Sequence, residues 1–155
     1  MNLGYLRGVL FGVVVLAMTP ILPSSAAAAP LCQKLGFAGL LAKCNRADLP
    51  PLTLAAGKPL AAGPLKLQSG AYYKLLINAD GSAETALAGA DFFRAVWVNE
   101  VVINGIELRP LGIDSLEFDD EGTAELSFVA IKPGRYTLGL PNARGDSQRV
   151  MVTIE

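Results

Sequence analysis

Two cysteines, a run of carboxylates and one tight group of aromatics are the residues of this 155-residue chain whose types and spacing could do chemistry. Cys32 and Cys44 are the only cysteines, and there is no histidine. The chain therefore lacks the side chain that moves protons near neutral pH and is the commonest transition-metal ligand. Two thiolates without a Cys-x-x-Cys spacing do not complete a zinc site. In an oxidising compartment they would pair, with free or intermolecular thiols as the alternative. A straight helix would hold these two residues about 18 Å apart, against about 4.4–6.8 Å for bridged Cα atoms, so a disulfide requires the segment to bend. Gly36 and Gly39 weaken a helix at the right place.

Asp114, Glu117, Asp119, Asp120, Glu121 and Glu125 crowd one short stretch, and oxygen ligands of this kind suit a hard cation such as calcium. The repeated Asp-x-Asp-x-Asp-Gly spacing of a calcium loop is missing, so a solvated hairpin tip is the plainer reading. Paired carboxylates also hydrolyse glycosides, but only across a cleft that a sequence cannot display. No Gly-x-Ser-x-Gly elbow, phosphate loop or dinucleotide fingerprint occurs. The expectation is a protein that is not an enzyme and holds no cofactor. Phe92, Phe93, Arg94 and Trp97 form the third group. Either these aromatics fill a core, or one stays exposed beside Arg94 as a sticky patch for a partner protein or sugar ring. An exposed indole would decide between the two.

The elements that would carry these residues are strands. Residues 49–70 are interrupted by Pro50, Pro51, Gly57, Pro59, Gly63 and Pro64, which excludes a long helix and leaves an extended arm or edge strand. From Tyr72 onward apolar residues alternate with polar ones. Tyr73, Leu75 and Ile77 share one face, and so do Ala124, Leu126, Phe128 and Ala130. Turns fall at Asn78–Gly81, Asn104-Gly105, Asp120–Gly122 and Lys132–Gly134. Short strands with turns this frequent predict an all-β sandwich of two antiparallel sheets.

Several of these residues look familiar together. Ala56-Gly57-Lys58, the pair Phe92-Phe93, the turn from Asp119 to Gly122, and the run from Ser127 to Tyr136 containing Phe-x-x-x-x-Pro-Gly-x-Tyr resemble the cupredoxin-like superfamily. The resemblance covers about residues 51–155 and implies a Greek-key β-sandwich. In copper-binding members a cysteine ligand usually lies four residues after the corner tyrosine, which here is Leu140, and a histidine and often a methionine follow in the next loop. Pro141 to Arg149 contains neither, and Met151 sits in an alternating strand between Val150 and Val152. The resemblance thus implies the scaffold without type 1 copper.

The N-terminus supplies the address. Arg7, the apolar stretch Gly8 to Met18 and the small residues Ser24 to Ala29 have the order of a secretory signal peptide, with the cut expected after Ala28. The apolar stretch is shorter than the roughly 20 residues a membrane span needs. The expected organisation is a signal peptide at 1–28, an N-terminal helical or looped segment at 29–50 carrying Cys32 and Cys44, and a sandwich domain at 51–155. The formal net charge of −1, one unit more negative once Arg7 is gone, gives no field for nucleic acid or anionic lipid. These readings converge on a secreted or periplasmic, non-catalytic binding or assembly module whose partner is another periplasmic or envelope protein. The alternative is a metal-handling protein, holding a hard cation through Asp114, Glu117, Asp119, Asp120 and Glu121 or copper through ligands borrowed from a partner.

Overall fold

The computed structural model describes Cys32 and residues 34–155, so the expected signal peptide lies outside the described residues. Two sheets form the body. The first has strand order β1 (Arg46–Asp48), β4 (Tyr72–Ala79), β9 (Gly122–Ala130), β6 (Val96–Ile103) and β7 (Ile106–Leu108), with β2 (Leu52–Leu54) also on β4. The second runs β3 (Leu65–Leu67), β11 (Arg149–Ile154), β10 (Gly134–Gly139), β5 (Thr85–Ala88) and β8 (Ser115–Phe118). A one-turn helix α1 (Ala90–Phe93) lies between β5 and β6.

Alternation in the long strands builds the core. Tyr73, Leu75 and Ile77 of β4 and Ala124, Leu126, Phe128 and Ala130 of β9 are buried, and so are Leu87, Leu138, Val150, Val152 and Ile154 of the second sheet. Phe128 meets Tyr73 at 5.9 Å between ring centroids and Phe92 edge-on at 5.4 Å. Each such aromatic pair is worth about 0.5–1.5 kcal/mol beyond the area it buries. The Tyr73 hydroxyl accepts the Gln68 backbone N–H at 2.8 Å, so a wholly buried phenol keeps a partner.

The Pro-Gly-x-Tyr run forms a closed corner. Tyr136 Oη donates to the Lys132 carbonyl at 2.9 Å, tying the start of β10 back to the end of the β9 connection. Gly134 has φ 156°, and a Cβ there would lie 2.8 Å from Tyr136 Oη, so only glycine lets the phenol lie across the turn.

Two features depart from the sequence expectation. The sheets are mixed, because β1 and β2 run parallel to β4 and β3 runs parallel to β11. Parallel neighbours need a crossover, and the proline-interrupted arm supplies it by touching sheet edges in short pieces. The sandwich also begins before residue 51. Strand β1 belongs to the segment expected at 29–50, and Leu49 continues the pairing by donating its N–H to the Lys74 carbonyl at 2.8 Å.

The N-terminal segment bends as its glycines require. Two 3-10 turns, Gly36–Leu41 and Lys43–Asn45, replace a straight helix, with Gly36 and Gly39 at φ 61° and 56°. The Cys32 and Cys44 Cα atoms come within 5.8 Å and the disulfide forms. Asn45, fully buried, fastens the segment to the sandwich by donating Nδ2 to the Leu40 and Gly70 carbonyls at 2.8 and 2.9 Å. Replacing it by alanine strands two carbonyls away from water, so Asn45→Ala should lower the unfolding free energy by about 1–3 kcal/mol in urea titrations. An unchanged midpoint would show that the segment is not held there.

Candidate functional site

The alternation of β6 sends Val98 into the core and Trp97 outward. Register then assembles a row on the outer face of the first sheet: Arg46 of β1, Tyr72 of β4, Val129 of β9 and Trp97 of β6 lie side by side. Tyr72 and Val129 are buried under their neighbours, while the Trp97 side of the row stays 50% exposed. The Arg46 guanidinium sits 4.8 Å above the Tyr72 ring, a cation–π contact that covers that end. Ile131, just past β9, is also half exposed.

A β-bulge at Asn99 adjusts the rest of this face. The register shifts between Val98 and Glu100, leaving Asn99 as the extra residue. Its Nδ2 donates to the Tyr72 hydroxyl at 3.1 Å, and Arg109 Nη1 donates to Asn99 Oδ1 at 3.2 Å. Trp97 therefore projects from a strand braced on both sides.

The four predicted contact residues separate. Phe92 and Phe93 are 1% and 5% exposed and pack edge-to-face at 5.5 Å, so they are core and not contact residues. Helix α1 turns both rings beneath the sheet because they follow one another at the tight connection into β6. Arg94 stays exposed but points to Asp114 at 3.3 Å and Asp91 at 3.9 Å. It lines a shallow cleft of about 520 Å³ with Lys132, Arg135 and Tyr136. Trp97 alone keeps the role of an exposed aromatic.

The acidic set also assembles differently from its order in the chain. Carboxylate oxygens of Glu84, Glu117 and Asp119 come within 4.8 Å of one another. Antiparallel pairing of β5 with β8 sets Thr85 against Phe118, which brings Glu84 up to the acidic strand. Asp114 is taken by Arg94, and Asp120 and Glu121 do not join the group. Glu84 escaped sequence reading because it sits far upstream, and only strand pairing delivers it. All three carboxylates are exposed.

Glu84 and Glu117 border an open cleft of about 610 Å³ with Leu140, Pro141 and Gln148. Leu140, four residues after Tyr136, stands where the resemblance would place a cysteine ligand. It is an aliphatic side chain packed against the core, and both cysteines are committed to the disulfide. Met151 is 47% exposed on β11, so it neither fills the core nor faces a ligand pocket with other soft donors. The residues present do not fit type 1 copper.

The fold is cupredoxin-like. No family model and no curated protein matches the sequence. Among solved structures, a multi-copper oxidase from Pseudomonas thermotolerans superposes with a TM-score of 0.51 at 14% identity, over 71% of this chain and 30% of that one. The blue copper oxidase of Nitrosomonas europaea follows at a TM-score of 0.47 and 13% identity, over 59% of this chain and 30% of that one. This chain thus spans under a third of the length of either oxidase. At 14% identity the superposition on the Pseudomonas enzyme speaks to the fold alone.

One carboxylate, in the turn that follows β4, is strongly perturbed. Asp80 is pulled down to about 2, first by the Ser82 hydroxyl and next by the Lys58 ammonium, whose Nζ lies 3.0 Å from Oδ2. A lowered folded-state value means that the ionised form contributes stability above the usual carboxylate range and loses it as pH falls toward 2. Carboxyl NMR titration should place the Asp80 midpoint near 2, and Ser82→Ala should raise it toward 3.8. A normal wild-type midpoint would contradict the hydrogen-bonded turn.

Proposed function

We propose that this chain is an exported, non-catalytic binding or assembly module that meets another envelope protein through the outer sheet face around Trp97. One observation carries the reading: a large indole is held half exposed on a braced strand, next to residues that are themselves buried. Tryptophan is enriched among the few interface residues that dominate binding energy, and a rigid aromatic loses little freedom when a partner covers it. The signal-like N-terminus and the disulfide support an oxidising, extracytoplasmic location. Among the described residues no helix is long and apolar enough to cross a membrane. The missing histidine and the bridged cysteines remove the usual nucleophile–base pairs, which favours recognition over catalysis.

Capture from an envelope extract tests this reading with two variants that act in opposite ways. Trp97→Ala should reduce partner recovery at least tenfold while shifting stability by only about 0.5 kcal/mol, as an exposed substitution does. Phe92→Ala should cost about 3–5 kcal/mol of stability through the cavity it leaves. Recovery unaffected by Trp97→Ala, or no specific partner at all, would refute the proposal.

A second reading draws on the convergence of Glu84, Glu117 and Asp119 beside the 610 Å³ cleft. Three carboxylates, Glu117 within β8 and Asp119 and Glu84 just beyond the ends of β8 and β5, are a donor set for a hard cation. Calorimetry with calcium should then give heat that Glu117→Gln abolishes, and a titration indistinguishable from dilution would retire this reading.

A further inference from the structure

The two sheets end in exposed edge strands, and three of the edges are guarded. Pro50 and Pro51 interrupt the β1–β2 edge, Pro64 precedes β3 with Lys66 inside it, and Glu117 with Asp119 gives the β8 edge like charges that repel a second copy. Proline and charge are the usual means of keeping edges from pairing. Strand β7 is built differently. Ile106 and Leu108 are 64% and 50% exposed, and Glu107 within the strand is followed just past its end by Arg109, of opposite sign.

The turn before β7 determines which backbone groups are free. Asn104 and Gly105 both have positive φ, 50° and 79°, the signature of a type I′ turn, so Ile103 and Ile106 form the hydrogen-bonded closing pair. Hydrogen-bonded and non-hydrogen-bonded pairs alternate from there. Glu107 therefore turns its N–H and C=O to the open side, and continuing the strand does the same for Arg109. Pro110 comes next, where its missing N–H faces inward and leaves the open edge intact. Side chains follow the same alternation: Leu108 pairs with buried Val101 and lies on the inner face, whereas Glu107 pairs with Val102 and lies on the outer one.

We propose that β7 pairs antiparallel with β7 of a second copy of this chain about a two-fold axis at Leu108. In this register Glu107 of each copy stands opposite Arg109 of the other, and these residues exchange the backbone hydrogen bonds that both edges leave open. The opposite charges meet twice on the outer face. On the inner face Leu108 lies against Leu108 and Ile106 against Pro110, covering the aliphatic edge. Within one copy Arg109 already contacts Glu100 and Glu107, at 3.0 and 3.1 Å, so each hairpin carries one carboxylate more than it neutralises. The pairing is isologous and closes on itself without a filament. It uses the edge of the sheet and does not rest on the partner proposed for the Trp97 face.

Sedimentation of the purified chain should show a mass that doubles with rising concentration. Glu107→Arg should weaken the dimer about tenfold by creating two like-charge pairs, and adding Arg109→Glu should restore it. Cysteine scanning reads the register directly. Leu108→Cys places two Cα atoms about 4.5 Å apart, within the span of a disulfide, and should cross-link on oxidation. Ile106→Cys sits about 14 Å from its own copy and should not. A monomer at every concentration, a dimer unaffected by Glu107→Arg, or cross-linking through Ile106 and not Leu108 would each overturn the assignment. Circular dichroism of each variant distinguishes lost pairing from lost folding.

Discussion

Strand β9 is the element that the rest of the structure depends on. It pairs with β4 on one side and β6 on the other, so its backbone is satisfied by its neighbours along most of its length. Residues 126–130 are all buried, whichever face they point to. The inward residues Leu126 and Phe128 close the core with Tyr73 and Phe92, and the outward Val129 lies beneath Tyr72 and Trp97. A strand covered on both faces cannot slip by one residue without driving the polar Ser127 and Glu125 into the apolar interior. That constraint holds the register of β4 and β6 as well.

The surface features follow from that register. Trp97 lies across from Val129, so its exposure belongs to the outer face of the best-determined part of the fold. The Asn99 bulge hands its amide to Tyr72 and its side-chain oxygen to Arg109, linking the Trp97 face to the β7 edge. Just past Ile131, whose N–H is held with that of Lys132 by the Ala95 carbonyl, the corner made by Pro133, Gly134 and Tyr136 launches β10, which delivers Leu140 to the large cleft. The position to which the resemblance would assign a thiolate is thus filled by Leu140, with Glu84 and Glu117 lining the same cleft. An aliphatic residue and nearby carboxylates give that place a different chemistry.

Legibility varied with how local the determining interaction is. The inward faces of β4, β9 and β11, the turns at Asn104-Gly105 and Asp120–Gly122, and the corner at Tyr136 could be read because alternation and turn chemistry act over a few residues. The bend between Cys32 and Cys44 was readable for the same reason. The parallel seating of β1, β2 and β3 was not, since short proline-broken pieces carry no sign of which edge they will meet or in which direction. Phe92 and Phe93 could not be told from surface aromatics, because a one-turn helix rather than a strand period points them inward. Glu84 gave no signal at all until β5 paired with β8.

The amino-acid order alone determined the all-β character, the cupredoxin-like resemblance, the lack of soft donors for a type 1 copper site and the feasibility of the disulfide. These depend on residue type and on spacings of a few positions, which a linear chain displays. Tertiary structure decided that Trp97 is exposed while Phe92 and Phe93 are buried, that Glu84 joins Glu117 and Asp119, and that β7 is left as an open edge. Each of those outcomes depends on which strand lies beside which, and strand pairing is a contact between residues far apart in the chain.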